Sequence, residues 1–247
     1  MVTVKILIAC EESQAVCKEF RKLGHEAYSC DILPCSGGHP EWHIQDDVLK
    51  HLDEGWDLMI AHPPCTYLSR AGARWLYPKT ILNQERYKKG LEAKEFFFKL
   101  LNANIPMIAI ENPTPFKIFE LPEFTQSIQP FEYGHEFSKK TLLWLKNLPK
   151  LKPTNIIEKY KPLLPSNTGE KREDRNIVMD LLKIKKKQVK LFQVLLKQWL
   201  NNGTNQRLLN VPSRRTTRRR TAFLPTLKGR VSCLKDYENK KRTDAET

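Results

Sequence analysis

Apolar residues in the first half of the chain come in short solid blocks, separated by longer stretches where they recur every three or four positions. Residues 2–9 (VTVKILIA) form such a block, rich in β-branched side chains, and read as a strand buried on both faces. The polar run Cys10-Glu11-Glu12-Ser13 follows. Ser13 is placed to cap a helix whose apolar positions Val16, Phe20 and Leu23 stop at Gly24. Residues 25–31 make a second strand that ends in an acid, and residues 34–40, with Gly37 and Gly38, form a loop. Residues 48–52 suggest a short helix. Residues 56–61 (WDLMIA) are another buried strand, halted by the two prolines of His62-Pro63-Pro64-Cys65.

From 83 to 101 the positions Tyr87, Leu91, Phe96, Phe97, Leu100 and Leu101 recur at helical spacing. Residues 106–110 (PMIAI) then give a further strand, ending at the loop Glu111-Asn112-Pro113. Strand and helix alternate over the first 115 residues, which predicts an α/β, Rossmann-like architecture. Its sheet is mostly parallel with helices on both faces, and ligands bind outside the strands' carboxyl ends. Residues 116–165 are rich in proline and aromatics, with 141–145 (TLLWL) expected as an edge strand. Beyond Pro165 the pattern weakens. The expected division is one folded domain over 1–165 and a basic, poorly ordered extension over 166–247.

Composition supports a real core: 40% of the 247 residues are hydrophobic, with eleven Phe, seven Tyr and five Trp. No apolar run approaches the roughly 18 residues of a membrane helix, and no signal-peptide core follows Met1, so a soluble, cytoplasmic protein without a membrane partner is expected. The six cysteines lack the spacing of a disulfide scaffold and are expected as free thiols. The formal charge of +14 is uneven. Residues 176–247 hold 18 Lys/Arg against 5 Asp/Glu, whereas residues 1–175 hold 24 against 23. That basic end points to a nucleic-acid partner, or to a segment foreign to the fold.

Three strand ends carry chemistry. Cys65, held by a stiff Pro-Pro backbone, is a candidate nucleophile, or else a small buried hydrophobe. Glu111 would bring a carboxyl to the same rim, or be a solvated loop charge. Asp31 ends the second strand, where an acid accepts hydrogen bonds from ribose hydroxyls, or serves a turn. Cys30, Cys35, His39 and His43 could in principle hold zinc, but their spacing matches no usual ligand pattern, and no metal is expected.

These motifs resemble a known family, the C5-cytosine DNA methyltransferases. Residues 61–69, AHPPCTYLS, are similar to the family's glycine-Pro-Pro-Cys-Gln-x-x-Ser loop, and Ile110-Glu111-Asn112-Pro113 resembles its Glu-Asn-Val loop. Asp31 matches the acid after the family's second strand. Asp46-Asp47-Val48 resembles its Gly-Asp-Ile segment, whose acid contacts the adenine of S-adenosylmethionine. The resemblance spans roughly residues 3–150 and is closest to short phage- and prophage-type members, implying a cytoplasmic setting in a bacterium or a phage-infected cell.

The resemblance implies an S-adenosylmethionine-dependent methyltransferase fold and methyl transfer to C5 of cytosine in DNA. Cys65 would attack C6, Glu111 would activate the ring, and Asn112 would shape the pocket. Cofactor contacts would fall to Cys10, Glu11, Glu12, Asp31, Asp47, Val48 and Pro63, and nucleic-acid contacts to Ser69, Lys139 and Lys140. The chain departs from the pattern in four places. Its first loop, residues 9–14 (ACEESQ), has no glycine; His62 replaces glycine; Thr66 replaces glutamine; and the Gln-x-Arg-x-Arg segment has only Lys139-Lys140-Thr141 as its nearest match. No stretch is long enough for a separate target-recognition domain, so specificity would come from loops 66–80 and 114–140. Two other readings stay open: modification of a free pyrimidine nucleotide by the same Cys/Glu pair, and non-catalytic nucleic-acid binding through the basic end.

Residues 190–202 (KLFQVLLKQWLNN) are what permissible codons for KTFPGIAKAMAEQW, an ending that short relatives tend to carry, yield when read one base later. The expectation is a reading-frame shift near Arg175 that produced the arginine-rich end.

Overall fold

The computed structural model describes residues 3–162. The whole of the expected basic extension over 166–247, and the expected reading-frame shift near Arg175, lie outside the described residues. Seven strands form one sheet: β1 (Lys5–Ala9), β2 (Glu26–Asp31), β3 (His43–Gln45), β4 (Leu58–Ala61), β5 (Met107–Pro113), β6 (Gln126–Ile128) and β8 (Thr141–Lys146). A second, two-stranded pair joins β7 (Phe137–Ser138) to β9 (Lys161–Pro162). The main sheet runs β3-β2-β1-β4-β5-β8-β6. Its first five strands are mutually parallel, and β8 runs antiparallel to both β5 and β6. The sheet is thus mixed, mostly parallel and of the α/β class.

Alternation along the strands sorts the core into two layers. Ile6 and Ile8 of β1 meet Val16, Cys17 and Phe20 of α1 (Ala15–Lys22) on one face. Leu7 and Ala9 meet Phe97 and Leu100 of α3 (Gln84–Leu101) on the other. A short helix, α2 (Ala73–Leu76), precedes α3 and anchors through Leu76, which is 1% exposed. An eight-residue helix such as α1 is too short to hold in isolation, so its stability comes from burying that apolar stripe. Truncating Phe20 or Phe97, both wholly buried, would cost roughly 3–5 kcal/mol.

Three local expectations need correction, and one strand was not anticipated. Ser13 does not cap α1. Gln14 stands at that position in a left-handed conformation, and the buried Glu11 carboxylate accepts the Val16 and Cys17 amides at 2.6 and 3.2 Å. A longer side chain reaching forward five residues has replaced the usual local cap. Residues 141–145, within β8, are not an edge strand, because β6 pairs outside them. Glu111, Asn112 and Pro113 are not loop: they extend β5, since β8 supplies an antiparallel partner where the parallel neighbour has already ended. Finally, β3 pairs with the end of β2 through Ser29, Cys30 and Asp31, a three-residue strand too short to leave a periodic signal.

Candidate active site

The chain order reverses between β1 and β4. Strands β2 and β3 are laid on one side of β1, and β4 and β5 on the other. At such a switch point the loops leave in opposite directions and open a crevice at the strands' carboxyl ends. A cleft of about 420 Å³ opens among the residues that leave these strands. Cys10 follows β1, Asp31 closes β2, Asp47 and Val48 follow β3, and Pro64 follows β4; all five line the cleft. Ile32 and Leu33, 73% and 53% exposed, and Phe96 of α3 add an apolar wall.

Of the seven residues expected at the cofactor, Cys10, Asp31, Asp47 and Val48 line this cleft. Glu11 is turned into the N-terminus of α1, Pro63 is buried, and neither they nor Glu12 contribute to the lining. The sequence reading missed Ile32, Leu33, Pro64, Ala93 and Phe96. The signal was there in two large apolar residues placed directly after an acid in a loop.

The glycine-less first loop adopts glycine-like backbone. Cys10 has φ 61° and Gln14 φ 55°, left-handed values that cost an ordinary residue roughly 1–2 kcal/mol. The loop is held against that cost. The Cys10 and Glu11 amides both donate to the Cys30 carbonyl, at 2.7 and 3.2 Å. The buried Gln14 amide donates to His39 O at 2.7 Å and accepts from His39 N at 3.0 Å. Burial, then the charges of Asp31, Cys30 and Asp47, push the Cys10 thiol up to about 12. It faces the cleft as a neutral wall.

The candidate pair stands on the neighbouring strands. Ala61 of β4 pairs with Ile110 of β5, so Cys65 and Glu111 leave adjacent parallel strands at the same end. Both feel the Lys139 charge, and the thiol also feels that of Glu111. The Cys65 thiol is pushed up by burial and by the Glu111 charge, against a lowering effect of Lys139. For Glu111, burial works to raise the carboxyl, but His62 and Lys139 outweigh it and hold the group below its ordinary value. His62 Nδ1 lies 3.5 Å from Glu111 Oε2. The same imidazole also lowers the buried Glu11, whose carboxyl burial raises overall. His62, the residue that departs from the family pattern, therefore stands between two carboxylates.

The other expected residues divide. Lys139 reaches the pair electrostatically, while Lys140 is exposed. Asn112 is fully buried, and strand alternation turns it to the face opposite Glu111. Its amide donates to Pro113 O at 2.8 Å. Ser69 is 4% exposed and pairs across to Pro115, fastening the loop after Cys65 to the loop after β5. Arg70 N to Thr114 O (3.0 Å) and Phe116 N to Leu68 O (2.8 Å) complete that seam.

The four residues weighed as zinc ligands have separate partners. Cys35 donates to Gln14, Cys30 to the Asp46 carbonyl, His39 stacks on Trp42, and His43 bonds Ser29 and the Leu33 carbonyl. Among the described residues no group of three or more such side chains could hold a metal ion. Nor is any helix among them long and apolar enough to cross a membrane.

No protein-family model and no curated protein matches the chain. The structure is similar, weakly, to solved methyltransferases. One is a prophage-encoded protein from Escherichia coli described as a DNA modification methyltransferase, at 12% identity and TM-score 0.40, covering 63% of this chain and 52% of that one. Another is the Entamoeba histolytica methyltransferase EhMeth, at 14% and 0.41, covering 64% and 58%. A third is the S. pombe Dnmt2 methyltransferase, at 14% and 0.37, covering 60% and 51%. This chain thus spans somewhat over half the length of each. Scores at this level leave function to be argued from the chain's own residues.

Proposed function

We propose that this chain is an S-adenosylmethionine-dependent methyltransferase acting at C5 of cytosine in DNA, with Cys65 as nucleophile and Glu111 as its acid partner. One observation carries the reading: a half-buried thiol and a carboxylate leave adjacent parallel strands at the same end, under one lysine's charge. The switch-point cleft fits the cofactor's chemistry. Asp31 and Asp47 line it and would accept from ribose and adenine donors, and Ile32, Leu33, Val48 and Phe96 would offer apolar surface to a flat ring. Bound there, S-adenosylmethionine would supply the methyl group that C5 receives.

The pair's own chemistry is a proton exchange. Attack requires Cys65 to lose a proton, and activation requires a proton on the carboxyl that hydrogen-bonds N3. Burial and mutual charge hold Cys65 protonated and His62 with Lys139 holds Glu111 ionised, so each group is one proton from its working state. Passing the thiol proton to Glu111, and on to N3, corrects both at once. The sulfur then bonds C6, and the C5–C6 π pair becomes an enamine whose charge the protonated ring absorbs. Because C6 is inaccessible in a stacked duplex, the target base must be unstacked when it meets the thiol. Incubating the protein with S-adenosylmethionine and DNA containing 5-fluorocytosine is expected to give a covalent adduct that survives denaturation and is lost in Cys65→Ser. Free protein at the wild-type position would refute the assignment.

A further inference from the structure

A groove of about 210 Å³ opens beside the thiol loop, lined by Tyr67, Trp75, Asn83, Glu85, Arg86 and Lys89. Its chemistry is unlike the rest of the described body. Residues 66–90 hold six Lys/Arg (Arg70, Arg74, Lys79, Arg86, Lys88 and Lys89) against the single acid Glu85. Residues 1–175 as a whole carry 24 against 23, so the remainder of that span is net negative. Glu85 is itself paired with Lys89 at 2.8 Å. The cations alternate with aromatic faces: Arg86 lies 4.9 Å and Lys89 5.9 Å from the Tyr67 ring, and Arg74 4.8 Å from Trp75. Trp75 is 57% exposed, a large apolar face left in water.

The groove is joined to the nucleophile. The Leu68 and Ser69 amides close a turn on the Cys65 carbonyl at 3.1 and 2.9 Å, and Arg86 Nη2 donates to Thr66 O at 2.7 Å. An aromatic platform interleaved with cations is the signature of single-stranded nucleic-acid binding, where bases stack and phosphates are neutralised. We infer that this groove binds the unpaired DNA strand flanking the target cytosine, a base stacking on Trp75 and phosphates meeting Arg74 and Lys89. The substrate is then DNA already single-stranded around the target. This rests on the reading above and gives the thiol loop a recognition surface of its own.

The test is anisotropy of a labelled thymidine homopolymer, against a duplex of equal length, on the full chain without cofactor. The basic end contributes equally to every variant and cancels in the comparison. Trp75→Ala is expected to weaken single-strand binding about tenfold, with unchanged salt slope and unchanged duplex binding, and Trp75→Phe to restore it. Arg74→Gln is expected to lower the salt slope by about 0.7. No loss in Trp75→Ala, or equal loss on duplex, overturns the inference. The readout needs neither methyl donor nor thiol. Trp75-dependent binding without adduct formation sinks only the catalytic reading, and adduct formation without it sinks only the groove.

Discussion

Burial and the Glu111 charge act in the same direction on the Cys65 thiol, and Lys139 acts against them. Each substitution therefore has a sign. Glu111→Gln removes a charge that holds the thiol protonated, so alkylation of Cys65 by iodoacetamide at neutral pH is expected to quicken. Lys139→Gln removes the opposing charge and should slow it. The rate-against-pH curve should move to lower pH in the first and to higher pH in the second; a shift in the reverse order would show that the two strand ends do not communicate. The depressed Glu111 carboxyl contributes stability above its ordinary unfolded-state value, a contribution lost as pH falls through the folded value. That both residues stand at strand carboxyl ends was legible in the sequence, because prolines after one strand and an acid after another mark such ends. What was not legible is orientation. Asn112 follows Glu111 directly, yet alternation sends it to the other face, and Glu11 follows Cys10 yet turns into a helix terminus.

Elements depend on close approaches that composition hides. Gly90 sits in the middle of α3, where replacement by alanine normally stabilises a helix by about 1 kcal/mol. Here a Cβ would collide with the ring of Phe119, which is wholly buried and cannot withdraw. Overpacking of this kind costs roughly 1–3 kcal/mol, so the collision outweighs the propensity gain. Gly90→Ala is expected to be less stable than wild type in chemical denaturation, and Gly90→Ala with Phe119→Leu to recover part of the loss. At Gly72 the neighbour can yield: a Cβ there would lie 2.6 Å from Arg86 Nη2 at the end of a flexible side chain, displacing the guanidinium from Thr66 O. Helical periodicity gave α3 its bounds to within one residue, since Asn83 accepts from Arg86 N and caps it. Strand ends were harder. The extension of β5 depends on a partner thirty residues later, and no local pattern reports a partner.

At the scale of the molecule, alternating blocks and periodic stretches were enough to anticipate a mostly parallel sheet covered on both faces, because buried parallel strands must be apolar throughout. They could not order the strands, and strand order is what makes two sites out of one rim. The cleft lies over β1, β2 and β3, and the thiol and carboxylate lie over β4 and β5. The Pro63-Pro64 backbone joins them: Pro64 lines the cleft and the next residue is Cys65. A rigid dipeptide transmits position and carries no charge, so binding in the cleft and ionisation of the thiol should be separable. Asp31→Asn keeps an acceptor for the Leu33 amide, now bonded at 2.9 Å, but loses the charge. A hydrogen bond to a charged group contributes about 1.5–3 kcal/mol, so calorimetric affinity for S-adenosylmethionine should fall tenfold or more. Alkylation of Cys65 should stay at the wild-type rate in that variant, and Cys65→Ser should bind the cofactor as wild type does. Slower Cys65 alkylation in Asp31→Asn, or weaker cofactor affinity in Cys65→Ser, would mean one continuous pocket, and the division of the rim at Pro63-Pro64 would have to be abandoned.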